Sequence, residues 1–375
     1  MLPVKKVQPL VEIRTSPHIH HSHSVPQIML NVVYALLPLV LFWVFQYGIS
    51  ALLLLLVVVG TTLLSERFFA RMAGRQSPLN DHSALITGIL LALTLPPGFP
   101  LWMGAIAAFV AIALGKAIFG GLGYNLFNPA LVGRAFVQAA FPVAITSWTP
   151  AYLPGRFLEF IPSTLALPLM RPADSSTWIA ELGQRSEITD ALTSATPLAA
   201  WKFAGDSGDH WQLLLSLTSG ASGQMPGLLI IFCALYLIAR NMMNWRIPVA
   251  VLGGAFITAL PLYLYDSSRF ADPLFVLLTG GLLLGALFMA SDMVGSPVTP
   301  RGILIYGLVI GFVTVIIRSF GALPEGVMYA ILLGNALAPL IESVTQPRVY
   351  GVGVTTLSAL KKPPATATTP EQRHE

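Results

Sequence analysis

Long apolar runs separated by short polar breaks dominate the chain, and ten can be marked: Ile28–Tyr47, Ile49–Leu64, Ala84–Leu95, Leu101–Phe119, Pro129–Phe141, Pro226–Ile238, Ile247–Tyr265, Pro273–Ala290, Ile303–Ile317 and Gly326–Ile341. Five lie on each side of a long polar interval. A helix rising 1.5 Å per residue needs about 20 apolar residues to cross roughly 30 Å of hydrocarbon. The third run, which stops at Pro96-Pro97-Gly98, and the fifth, which opens at Asn128-Pro129, are both too short for a simple crossing. Non-helical backbone must complete each of them, and such backbone is tolerated only when buried in protein or lining a polar cavity. The pattern predicts an all-α polytopic membrane protein of about ten transmembrane spans. Its parts are an N-terminal tail (1–26), a first five-span unit (27–141), an interval outside the cytoplasm (142–225), a second five-span unit (226–344) and a C-terminal tail (345–375).

Composition agrees. Of 375 residues, 55% are hydrophobic and 10% charged, against about 25% charged in a soluble domain. A net charge of +4 is too small to argue for nucleic acid. Placement of the basic residues is more informative. With the N-terminus inside and ten alternating spans, Lys5, Lys6, Arg14, Arg67, Arg71, Arg75, Lys116, Arg240, Arg246, Arg301, Arg348, Lys361, Lys362 and Arg373 all fall on the cytoplasmic side, as the positive-inside rule requires. Both tails are therefore expected in the cytoplasm. No cleavable signal peptide is read in residues 1–26.

The two units echo one another. Ile86-Thr87-Gly88 compares with Leu278-Thr279-Gly280, Lys116 through Phe119-Gly120-Gly121 with Arg318 through Phe320-Gly321, and Asn125 through Leu131 with Asn335 through Leu340. An odd number of spans per repeat makes the second copy inverted, an arrangement that builds binding sites near the membrane midplane. The abundance of Gly, Ala and Leu offers a plainer source for the echo.

Candidate chemistry sits in two places. Around Lys116-Ala-Ile-Phe-Gly120-Gly121-Leu-Gly123-Tyr-Asn125-Leu-Phe-Asn128-Pro129, glycines let backbone approach a planar ligand. Asn128 suits a helix N-cap with Pro129 as the first helical residue, and Asn125 and Asn128 bring amide donors and acceptors. A glycine-rich packing turn with capping asparagines is the alternative. The second place is Asp190-Ala-Leu-Thr193-Ser194-Ala195-Thr196-Pro197 in the external interval. By pattern alone it is a hydroxyl-rich turn, without a Ser/His/Asp set to activate a nucleophile. No catalytic residue and no metal site is expected. The single cysteine, Cys233, excludes cysteine-ligated iron–sulfur clusters and CxxCH haem, and the histidines at 18, 20, 21 and 23 read as a solvated tail. Lys116, Arg134, Asp292 and Glu342 lie in or at the ends of spans, where ionisable groups suggest function. Interfacial snorkelling accounts for Lys116 and Arg134 almost as well.

These motifs, with Asp81-His-Ser-Ala-Leu-Ile-Thr-Gly88 and Phe288-Met-Ala-Ser-Asp292, resemble the family that contains the D subunit of the Rnf electron transport complex and the B subunit of the sodium-translocating NADH:quinone reductase, from about Ser16 to Glu342. The resemblance implies FMN esterified through its phosphate to Thr196, the last residue of a Thr193-Ser194-Ala195-Thr196 motif preceded by Asp190. A separate flavin transferase attaches it. Ser194 stands where glycine is common in that motif. The resemblance further implies riboflavin held non-covalently near Asn125, Asn128, Gly120, Gly121 and Lys116. It implies a bacterial inner-membrane subunit of an ion-translocating oxidoreductase, with no complete active site of its own. Its partners would be the lipid bilayer, a second FMN-bearing subunit and iron–sulfur subunits of the complex, with sodium or proton transport coupled to electron flow. A membrane transporter or channel subunit without redox cofactors is the alternative reading.

Overall fold

The computed structural model describes residues 24–74, 78–153, 155–168, 178, 196–204, 210–215, 225–267, 269–321 and 325–347, and among them every regular element is a helix. Helix α1 (Val25–Tyr47) ends at Gly48, whose φ of +75° turns the chain directly into α2 (Ile49–Met72). A Cβ at Gly48 would lie 2.0 Å from the Arg156 carbonyl oxygen, so the segment around Arg156 can pack on this turn only because it is glycine. After a single 3₁₀ turn comes α3 (Ser83–Thr94), its start fixed by the Asp81 carboxylate, which accepts from the Ser83 N–H at 2.9 Å. It stops before Pro96-Pro97 after 12 residues, about 18 Å of rise. Helix α4 (Leu101–Ile112) widens into a π-helical turn at Ala113–Ala117. Helix α5 (Pro129–Ala140) follows the glycine-rich turn, with the short α6 (Pro142–Thr146) after it.

The described parts of the polar interval include α7 (Pro197–Ala204) and α8 (His210–Leu215). Then come α9 (Gly227–Ala239), α10 (Arg246–Tyr265), α11 (Pro273–Leu278), α12 (Leu282–Leu284, continued by a π turn at Gly285–Met289), α13 (Pro300–Phe320) and α14 (Val327–Thr345). Among the described residues, five helices (α1, α2, α10, α13 and α14) are long and apolar enough to cross a bilayer, and α3, α4 with its π turn, and α9 are shorter apolar helices. The sequence predicts one unbroken run over Pro273–Ala290. The structure interrupts it at Thr279-Gly280-Gly281, where both glycines take positive φ (+64° and +66°).

In the first half α2 packs on α3 and α4, and α4 on α5. In the second, α10 packs on α13 and α13 on α14, while α1 meets α9 and α5 meets α14 across the halves. One hydrogen bond staples the first cross-pair: the Tyr236 hydroxyl donates to Asn31 Oδ1 at 2.8 Å. The α10–α13 contact is a close backbone approach. Cβ atoms at Gly307 and Gly311 would fall 2.4 Å from Ala250 Cβ and from the Val251 carbonyl oxygen respectively. This is the small-xxx-small pattern by which helices associate in lipid, where van der Waals contact replaces the hydrophobic drive. Gly311→Leu is therefore expected to cost several kcal/mol through overpacking against backbone, at or above the roughly 1–3 kcal/mol typical of inserted methylenes. A thermal melt of purified protein in detergent checks it, with Gly253→Leu, where no atom lies within 4 Å of the added Cβ, as the neutral comparison.

Candidate functional site

The start of α5 lies where the two halves meet. Asn128 caps it, Oδ1 accepting from the Ala130 N–H at 3.0 Å, and Pro129 takes the first helical position as the sequence predicts. The other end of the same amide crosses to the second half, Nδ2 donating to the Met289 carbonyl at 3.2 Å. That carbonyl closes the π turn after α12. Asn335 on α14 completes the seam. With its amide oriented to satisfy both ends, Oδ1 accepts from the Asn128 N–H at 3.0 Å and Nδ2 donates to the Tyr306 hydroxyl at 2.7 Å. A Cβ at Gly115 would sit 2.7 Å from Pro129 Cα, so the π turn of α4 lies against this helix start only for want of a side chain.

On one side of the seam is a cavity of about 100 Å³, bounded by Asn125, Asn128, Lys116, Ser83, Asp292 and apolar side chains that include Met29, Met242, Met243, Met293 and Phe288. Asn125 is 4% exposed; its Nδ2 donates to the Phe127 carbonyl at 3.3 Å, but its Oδ1 is buried with no partner. A buried amide oxygen left unmet costs about 1–3 kcal/mol, so it is an acceptor open to a further hydrogen-bond donor. The space is below the roughly 300 Å³ at which small-molecule pockets begin. Four of its walls are methionines, the apolar side chains that repack most readily. Gly120 and Gly121 (φ +109° and +106°) shape the turn that leads to Asn125.

Lys116 does not snorkel. The π turn points it inward, where it is 3% exposed and its Nζ donates to Glu66 Oε1 on α2 and to the Ser83 hydroxyl at the start of α3. Ser83 Oγ in turn donates to Asp81 Oδ1 at 2.6 Å. Arg134 is likewise turned inward from α5: Nη1 donates to the Thr94 carbonyl at 2.7 Å, at the end of the short α3, and Nη2 pairs with Glu325.

Beyond the seam a second cavity is lined by Thr94, Arg134, Trp148, Gly280, Gly281 and Glu325, together with apolar side chains. The α11 interruption at its edge is held by Arg318, which donates to the carbonyls of Val276 (2.7 Å), Thr279 (2.9 Å) and Gly280 (3.1 Å). Thr196 is near this second region. It is 8% exposed and immediately precedes α7, its carbonyl accepting the first helical bond from Ala200 at 2.8 Å. Two residues on, Leu198 packs against Gly280 so closely that a Cβ there would lie 2.7 Å from Leu198 Cδ2. On the same helix Lys202 donates to the carbonyls of Arg318 (3.0 Å) and Gly321 (2.6 Å), and partial burial lowers its pKa.

Of the residues singled out in the sequence, Lys116, Asn125 and Asn128 converge on the first cavity, with Gly120 and Gly121 in the adjoining turn. Thr196 lies apart from them. Asp190, Thr193, Ser194 and Ala195 lie outside the described residues. Sequence reasoning missed Glu66, Glu325 and Tyr306. A carboxylate within reach of an apolar run was the available signal for the first two, and nothing marked Tyr306 among the other aromatics.

The profile of the NQR2, RnfD, RnfE family matches residues 12–351. Among curated proteins, the chain is 36% identical over 349 residues (90% of this chain, 96% of the relative) to the D subunit of the proton-translocating ferredoxin:NAD(+) oxidoreductase complex of Clostridium ljungdahlii. It is 37% identical over 345 residues (91% and 95%) to the D subunit of the Na(+)-translocating ferredoxin:NAD(+) oxidoreductase complex of Acetobacterium woodii. To the D subunit of the ion-translocating oxidoreductase complex of Alcanivorax borkumensis it is 37% identical over 346 residues (90% and 96%).

Removing one member of a buried ion pair strands the other, at about 3–5 kcal/mol, whereas replacing both with apolar groups is often close to neutral. Lys116→Met is expected to lose about that much stability and Lys116→Met with Glu66→Leu to regain most of it. Thermal melts of the two variants in the same detergent read the difference.

Proposed function

The chain belongs to the NQR2, RnfD, RnfE family, and from that premise we propose that it is a flavin-carrying membrane subunit of an ion-translocating ferredoxin:NAD oxidoreductase complex. In this reading electrons pass between FMN linked covalently to Thr196 outside the cytoplasm and riboflavin held among the helices, coupled to sodium or proton movement. The observation that carries it is the unpartnered Asn125 Oδ1 in a methionine-walled cavity beside the glycine-rich turn.

When bound, an isoalloxazine ring supplies one-electron chemistry that no side chain here offers. The protein's own groups do the rest. Asn125 Oδ1 would accept from a ring N–H, Phe288 and the methionines would exclude water, and Lys116, held by Glu66 and Ser83, brings a cation to the cavity wall. Asn128 is committed to Ala130 and Met289, so it positions the cavity wall and Asn125 makes the contact. Thr196 serves only as the acceptor of a phosphodiester, with activation left to a flavin transferase.

The finer architecture belongs to the same reading: ten crossings in two inverted five-span repeats, both tails cytoplasmic, residues 142–225 outside, in a bacterial inner membrane. The matched packing of α2, α4 and α5 with that of α10, α13 and α14 supports it, as does an interrupted or shortened helix in each half. Nicotinamide and iron–sulfur chemistry would reside on partner subunits. A transporter or channel subunit is the rival, favoured by cavities on both sides of the Asn128–Met289 seam.

The test is a denaturing gel viewed under ultraviolet light, on protein made with the transferase present. The wild-type band should fluoresce, carry the added mass of one FMN on the Thr196 peptide and turn dark in Thr196→Ala. A dark wild-type band sinks the flavin reading and leaves the transporter. Asn125→Leu should keep the fluorescent band while losing at least tenfold of the riboflavin released on denaturation.

A further inference from the structure

Lys116 carries three N–H donors, and the pair with Glu66 uses one of them. A second goes to the Ser83 hydroxyl, which donates in turn to Asp81 Oδ1 at 2.6 Å. Glu66 already neutralises the lysine charge, so charge balance does not require the extension through Ser83. What the extension provides is a continuous hydrogen-bonded chain from the interior to the surface. Lys116 and Ser83 are 3% and 7% exposed, whereas Asp81 is only half-buried, in the 3₁₀ turn Pro78–Asp81 beside the exposed Asn80. Asp81 Oδ1 also accepts the Ser83 N–H at 2.9 Å, so the turn that starts α3 holds the outer link in place.

The inner end of the chain opens on the first cavity, which Lys116 and Ser83 both line. Lys116 also borders a groove between the end of α2 and the π turn of α4, but apart from Glu66 the other side chains lining that groove are apolar. Polar partners for its third donor are found in the first cavity, where Asn125 and Asp292 line the same space. The ionisable groups around Lys116 are thus Glu66 from α2, Asp81 from the 3₁₀ turn through Ser83, and Asp292 across the cavity. Asp81 is joined to it through a hydroxyl, a group that can accept one proton while giving up another. Linked ionisable groups of this kind carry protons to buried sites in membrane proteins.

We infer that Asp81, Ser83 and Lys116 form a proton relay from the surface at the α2–α3 turn to the ligand of the first cavity. The inference rests on the flavin reading of that cavity given above. One electron arrives from a reduced carrier on a neighbouring subunit, and Lys116 Nζ delivers one proton to a ring nitrogen. Nζ then takes the Ser83 hydroxyl proton, and Ser83 Oγ takes one from the Asp81 carboxyl, which draws it from water at the surface. The sum is one electron and one proton added to the ligand, with every protein group returned to its starting state. Glu66 keeps Lys116 at the cavity wall throughout. Lys116 meets the ligand; Ser83 and Asp81 act through it.

The experiment is rapid-mixing reduction of the intact purified complex by NADH, in ordinary and heavy water, following the absorbance of the non-covalent flavin. Asp81→Asn keeps the bond to the Ser83 N–H, because asparagine forms the same turn, but it cannot carry a proton. It should slow this reduction by about a hundredfold, the low end of what a positioned proton donor contributes, and raise the solvent isotope effect. Formate, a small weak acid, should restore the rate by bringing protons to Ser83 from solution; a purely structural role for Asp81 would not respond to it. Ser83→Ala should slow the reduction likewise, and Ser83→Thr, which keeps the hydroxyl, should not. Wild-type rates in Asp81→Asn and Ser83→Ala overturn the relay, while riboflavin released on denaturation leaves the flavin reading standing. Slow reduction that formate leaves unrepaired also overturns it. A wild type that releases no riboflavin removes the reading and the relay together. Should Ser83→Ala lose the flavin, Asp81→Asn with and without formate decides.

Discussion

A peptide carbonyl or N–H released where a helix stops inside hydrocarbon has no water to accept it, and each unmet group costs several kcal/mol. The architecture is organised around that penalty. Helix α3 ends at Thr94, and Arg134 takes the carbonyl; α11 ends at Leu278, and Arg318 takes three carbonyls around the break. The π turn after α12 ends at Met289, whose carbonyl Asn128 receives, while Asn128's own N–H goes to Asn335. Each interruption is closed by a side chain from another helix. Short helices and buried polar residues are therefore two views of one constraint.

Meeting the constraint also creates the chemistry. Cations brought inside need counter-charges, and Glu66 supplies one to Lys116 as Glu325 does to Arg134. The result is an interior with two polar centres, one on each side of the Asn128 seam, set in walls of leucine, methionine and small residues. Polar interiors of this kind suit a ligand that is flat, largely apolar and edged with donors and acceptors. They also confine strong local fields to places where the surrounding dielectric is low.

Much of this was legible beforehand. Most apolar runs match the helices to within a few residues, although α2 continues eight residues past Leu64 to Met72; the third and fifth runs are short as read, and Asn128-Pro129 opens a capped helix. The break at Gly280-Gly281 was hidden because apolar residues continue on both sides, so hydropathy stayed high across it. Partners were hidden for a different reason. Glu66 and Lys116 are 50 residues apart, and Arg134 and Glu325 are 191 apart; their pairing depends on how helices cross, which a single sequence does not encode locally. The inward direction of Lys116 follows from the π turn, an extra residue in the helix that composition does not reveal. Thr196 carried a local motif, yet its seat on Gly280 is a tertiary fact.

The separation in sequence between each helix end and its cap has a consequence for how the protein is made. Thr94 waits 40 residues for Arg134, the carbonyls around Gly280 wait about as long for Arg318, and Asn128 waits 161 for Met289. Synthesis runs from the N-terminus, so α3 and α11 leave the ribosome well before the side chains that will shield their ends. These segments cannot be released singly into lipid as finished spans. Their ends are shielded only once the later helices are in place.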